Sequence, residues 1–203
     1  MTELLIPDSL ILELQEIYQG MEKDYNRVAR QLSFGCSGCP DNCCDSFFLH
    51  HTYVEWAYLW MGFRQLASAT QQEILERSAA VVLACEQALR QGERPQVMCP
   101  LNEEGLCTLY SYRLLVCRTH GVPASMTRPD GKTLTFLGCF RCQKITDDLR
   151  LQGADIPLVE RTPLLHRLAM LENTLLQGDR QRYPKVKLTI AQMLCMGPPA
   201  LLL

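Results

Sequence analysis

The spacing of its cysteines constrains this chain more than any other feature. Of 11 cysteines, nine crowd into residues 36–142, in three groups. The first is Cys36, Cys39, Cys43 and Cys44, a C-x-x-C-x-x-x-C-C run; the second is Cys99, Cys107 and Cys117; the third is Cys139 and Cys142, another C-x-x-C. The first group lies among Gly, Pro, Asn and Asp, which favour turns. Two thiolates in C-x-x-C spacing reach one metal around such a turn, and soft thiolates select zinc, cuprous copper or iron–sulfur clusters. Nine thiols exceed the four that one tetrahedral zinc or one four-cysteine cluster takes. Adjacent side chains such as Cys43 and Cys44 diverge in most backbone conformations and seldom serve one ion. The spacing therefore predicts two metal centres, or one multinuclear centre with spare thiols that are redox-active or hold a substrate metal. A structural zinc site is the competing reading. Cys85, on the apolar side of a helical stretch, and Cys195 stand apart and read as buried cysteines.

The compartment decides between metal and disulfide chemistry. The start, MTELLIPDSL, carries an early acid and no basic region, so no secretory leader is expected. No apolar run approaches bilayer-spanning length. The expected location is the bacterial cytoplasm, where structural disulfides are rare and clustered cysteines are metal ligands or redox groups. The formal net charge of -2 leaves no basic footprint for nucleic acid. Hydrophobic residues make up 47% of 203, enough for a real core.

Apolar periodicity predicts a mainly α, compact helical domain with long metal-organised Cys-rich loops and one small β-hairpin. It is expected as a single domain over 1–203, with an N-terminal helix within 1–35, a cysteine-cluster core over 36–142 and C-terminal helices over 143–203. Helices are expected at 9–32, capped by Asp8 or Ser9, and at 52–66, 70–91, 142–151, 157–177 and 186–196. A short helix or turn is expected at 110–118. Residues 93–109 read as loop with a turn at Asn102–Gly105. Ser125–Phe136, alternating around Pro-Asp-Gly, reads as the hairpin. The tail GPPALLL is expected to fray.

On these residues the chain resembles the CxxCxxCC (YkgJ-type) cysteine-cluster family, whose members are described as zinc- or iron-chelating and often as Fe–S-cluster-containing. The resemblance rests on Cys36-Ser-Gly-Cys39-Pro-Asp-Asn-Cys43-Cys44, on Cys99-Pro100-Leu101, on Gly105-Leu-Cys107-Thr-Leu-Tyr110-Ser-Tyr-Arg113, and on Cys117-Arg118. Glu55 also fits. It covers roughly residues 34–142 and implies metal binding without a reaction. Two departures stand out: one extra residue before Cys43-Cys44, and Arg113-Leu114 where Arg-Pro is usual. Flagellin lysine methylases carry a similar cysteine set, but no Gly-rich nucleotide loop is present here.

Arg113, Arg118 and His120 flank Cys117 and are the candidates to bind a cofactor or substrate anion; cations near a thiolate cluster offset its negative charge and raise its potential. Arg141 adjoins the third group, whereas Arg128 and Lys144 read as solvated surface charges. His50 and His51 read as packing or capping residues rather than nitrogen ligands. Asp45 reads as a turn cap or hydrogen-bond acceptor near the first group. His166 reads as structural, and the aromatics from Tyr53 to Phe63 read as core. Three functions follow in order: an iron–sulfur protein with a redox, oxidoreductase or electron-transfer role; a zinc-binding structural or interaction module without catalysis; and a metal-dependent enzyme modifying a peptide or small molecule. The expected partners are metal ions and an unidentified protein or small molecule, with no nucleic acid and no membrane.

Overall fold

The computed structural model describes residues 2–36 and 43–201, with Cys43 and Leu201 as backbone alone. The architecture is mainly α, with 54% of the described residues helical, as the periodicity predicts. In chain order it runs β1 (Thr2–Glu3), α1 (Asp8–Gln31), α2 (Tyr53–Phe63), α3 (Ser68–Arg90), β2 (Asn102–Glu103), β3 (Leu106–Cys107), α4 (Leu115–Thr119), β4 (Ala124–Thr127), β5 (Thr133–Phe136), α5 (Phe140–Leu151), β6 (Val159–Glu160), α6 (Thr162–Leu175), α7 (Ile190–Cys195) and β7 (Ala200–Leu201). Among the described residues no helix is long and apolar enough to cross a membrane.

The chain divides into two compact units, each built from separate segments. Unit 1 takes 1–11, 42–117 and 172–203; unit 2 takes 12–41 and 118–171.

Helix α2 is the hub of unit 1. Nine of its 11 residues are buried, the aromatic core that the sequence predicts. Thr52 caps it, its hydroxyl accepting from the Glu55 N–H at 3.2 Å. Two further N–H groups of its first turn, those of Tyr53 and Val54, both donate to the buried Glu172 carboxylate at 3.0 Å. A buried helix start needs such partners, and here α6 supplies them. The Trp56 and Trp60 indole N–H groups both donate to the Met193 carbonyl in α7. That short helix carries a complete capping box, Thr189 with Gln192. Along α3 only Ile74 and Ser78 are buried outright, while Leu83 and Leu89 are exposed.

In unit 2 Val28 and Ala29 of α1, with Leu32 just past its end, pack against Val122, Ala124, Cys142 and Val159. The hairpin β4–β5 has the expected position, paired from Ala124↔Phe136 to Thr127↔Thr133.

Three expectations are corrected. Residues 157–161 do not begin a helix: β6 pairs in parallel with β4, Ala124↔Val159, and the Pro157 and β-branched Val159 that suit an extended segment outweigh the helical pattern. The 186–196 helix shrinks to α7, because Leu188 pairs with His50 instead. The tail does not fray within the described residues: β7 pairs with β1, Thr2↔Leu201. The 93–109 loop also carries a tight hairpin, β2–β3, closed through positive φ at Glu104 (49°) and Gly105 (89°).

Candidate metal centre

The two units sort the cysteines. Unit 1 holds Cys44, Cys99, Cys107 and Cys117, together with Cys43, whose side chain lies outside the described residues. Unit 2 holds Cys36, Cys139 and Cys142. Cys39 lies outside the described residues. No disulfide links the described cysteines.

In unit 1, each thiol is delivered by a different piece of backbone. The Cys99 N–H donates to the Cys44 carbonyl at 2.9 Å, and a bridge between Ser46 and Gln96 continues the pairing. The Cys99 carbonyl then accepts from Asn102, opening the β2–β3 hairpin whose last residue is Cys107. Cys117 comes from α4. That helix begins on a carboxylate: the Leu115 N–H donates to Glu55 Oε1 at 2.7 Å, while Glu55 Oε2 accepts from the Thr52 hydroxyl at 2.8 Å. Buried Glu55 thus joins the start of α2 to the start of α4.

The four thiols share one electrostatic neighbourhood. Burial pushes the Cys99 thiol up, and the charges of Cys117, Cys44 and Cys107 push it further. Cys117 is pushed up to about 12, by burial first, then by Cys107, Cys44 and Glu55, with Arg113 pulling the other way. Cys99 and Cys117 thus resist ionisation, first through burial and then through the neighbouring thiols, and a cation would stabilise such a donor set. Among the described residues, no three His, Cys, Asp or Glu side chains stand closed in coordination geometry about one point. The fit therefore rests on the chemistry of the donor set.

In unit 2, Cys139 is the N-cap of α5 and Cys142 lies one turn in, fully buried. Burial pushes Cys142 up to about 11, with Cys139 and Cys36 adding to it. The Tyr25 hydroxyl lies 3.7 Å from the Cys36 sulfur. Burial, then that contact, raise the phenol well above its usual range. Two glycines set the approach. A Cβ on Gly121 (φ 125°) would stand 2.5 Å from the Tyr25 oxygen, and one on Gly138 (φ 84°) would stand 2.5 Å from the Gly121 carbonyl. That carbonyl accepts from the Cys139 N–H at 3.0 Å.

The other candidates are placed as follows. Arg113 stacks 3.6 Å over the Tyr110 ring and its charge reaches Cys117. Arg118 stacks 4.4 Å over Tyr18, and His120 is half-buried in unit 2. Arg128 pairs with Asp130 at 3.2 Å, as a surface charge should. His50 is buried, its ring Nδ1 without a hydrogen-bond partner, and burial followed by the charge of His51 lowers it to about 4. His51 Nδ1 lies 3.2 Å from the Val186 carbonyl. Cys195 is exposed and Cys85 half-buried, so the expectation that both are buried is corrected; α7 ends at Cys195, which leaves its side chain without a covering element.

The sequence reading missed Glu172 and Tyr25. Tyr25 carried a signal: it falls at helical spacing between Tyr18, Met21 and Val28 of the buried stripe of α1, as its half-buried member. Glu172 carried none, because a lone acid in an apolar helix reads as surface. No family model matches the chain, and neither does any curated protein or solved structure.

Proposed function

We propose that this chain is a cysteine-cluster metal protein of the cytoplasm, with its resident centre on Cys44, Cys99, Cys107 and Cys117. The observation that carries the reading is that Cys44, Cys99, Cys107 and Cys117 lie in one unit and that neighbouring thiols add to the burial that raises Cys99 and Cys117. An iron–sulfur cluster is the preferred occupant, since four thiolates are its usual ligand set. Such a cluster supplies one-electron redox chemistry when bound. The chain's own residues do the rest. Glu55 holds the start of α4 and so fixes Cys117; Arg113 sets a positive charge beside the thiolates; the Cys99–Cys44 backbone bond fixes the spacing of two segments. An electron-transfer or oxidoreductase role follows from that composition.

Structural zinc is the second reading, favoured by the tight β2–β3 hairpin that presents Cys107, a kind of element that closed four-thiolate zinc sites use. The two are separated by anaerobic purification. Iron with acid-labile sulfide and a brown colour supports the cluster. Colourless protein with only zinc, even after reconstitution with iron and sulfide, overturns it in favour of zinc.

A further inference from the structure

We propose that Cys139 and Cys142 form a dithiol–disulfide redox couple, separate from the unit 1 centre, that exchanges with anionic low-molecular-mass disulfides. Three observations carry it. First, Cys139 occupies the N-cap of a 12-residue helix and Cys142 its third position. The N-cap and third positions are where the two side chains of a capping box meet, the proximity that a disulfide requires, and the charge of Cys139 reaches Cys142. No side-chain cap hydrogen bond occupies Cys139. Second, the pair is asymmetric. Cys139 is only partly buried, at the edge of the core cluster, while Cys142 is sealed among Val28, Ala29, Leu32 and Val122. An accessible attacking sulfur with a sheltered second sulfur is the arrangement that lets one thiol meet the substrate and the other resolve it.

Third, a groove of about 480 Å³ opens beside the couple, lined by Phe34, Gly35, Phe140, Arg141, Lys144 and Ile145. Phe140, between the two cysteines, is 61% exposed. Acidic side chains complement the start of a helix, yet the first turn of α5 carries none and Arg141 instead, with Lys144 just beyond it. The lining thus matches a small ligand with an apolar body and carboxylates.

The exchange balances with the disulfide substrate, RSSR, as the oxidant. The Cys139 thiolate attacks one sulfur of RSSR, forming a mixed disulfide and releasing one thiolate, RS⁻. Cys142 then gives up its proton and attacks the Cys139 sulfur, forming the internal disulfide and releasing the second RS⁻. Two protein thiols are oxidised, and one disulfide is reduced to two thiols.

The test uses the full chain, prepared reduced, in glutathione buffers of graded ratio, with thiols trapped by alkylation and mapped by mass spectrometry. The expected result is a reversible Cys139–Cys142 disulfide appearing in one two-electron step. Cys142→Ala should trap glutathione on Cys139, and circular dichroism checks that it folds. Lys144→Glu should slow reaction with oxidised glutathione several-fold and leave reaction with uncharged hydroxyethyl disulfide unchanged. Cys139 and Cys142 that alkylate only after a chelator is added hold a metal instead, and that result overturns the proposal. So does a wild-type chain whose Cys139–Cys142 pair stays reduced while exposed Cys195 is glutathionylated.

Discussion

At the scale of single residues, the buried carboxylates do work that a count of charges hides. Glu172 satisfies two buried N–H groups at the start of α2. Glu172→Ala leaves both without a partner, so unfolding in urea should show a loss of about 2 kcal/mol or more, at ~1–3 kcal/mol per orphaned group. Glu55→Gln keeps an acceptor for Leu115, whereas Glu55→Ala removes it; the alanine variant alone should lose metal from the Cys117 site, read by metal content after gel filtration. His50 gives a pH dependence. It titrates at about 4 when folded, against about 6.5 when unfolded. Between those values the unfolded chain binds the extra proton. The contribution is therefore whole above pH ~6.5 and declines as pH drops toward 4, by up to ~3 kcal/mol at ~1.4 kcal/mol per unit. Urea midpoints between pH 7 and 4.5 should fall with that slope and flatten in His50→Gln; an unchanged slope in the variant would contradict the assignment.

Elements show which parts of the fold were legible. Helices α1, α2 and α3 and the hairpin β4–β5 stand where periodicity and turn chemistry put them, because each carries a long repeat of its own. Short elements are set by what lies beside them. Strand β6 exists only along β4, and Cys139 becomes an N-cap because α5 starts at Phe140, two residues before the expected start. The C-x-x-C spacings were plain in the sequence. The division of the thiols was not: Cys36 and Cys44 are eight positions apart yet belong to different units, and nothing local encodes the path between them. Close packing makes one element testable. A Cβ on Gly62 of α2 would enter the Tyr112 ring, which lies 5.0 Å from the Tyr58 ring by centroids. Gly62→Ala should cost roughly 1–3 kcal/mol by overpacking, and Gly62→Ala with Tyr112→Leu should recover part of it.

For the whole molecule, the two units hold separate sets of thiols. In unit 1 the segments around Cys99, Cys107 and Cys117 hold two 2-residue strands and a five-residue helix, little regular structure of their own. A metal bound there would contribute folding free energy to that region. Removing it should raise hydrogen exchange across residues 99–117 while α1 amides from Leu14 to Val28 keep their protection. Equal loss in both would mean that the centre supports the entire fold. Metal analysis of anaerobically purified protein, wild type beside Cys99→Ser and Cys117→Ser, bears on the centre itself most directly. Iron and acid-labile sulfide in fixed ratio, lost in both variants with helicity retained, is the predicted result; wild-type protein that binds neither iron nor zinc after reconstitution would contradict it.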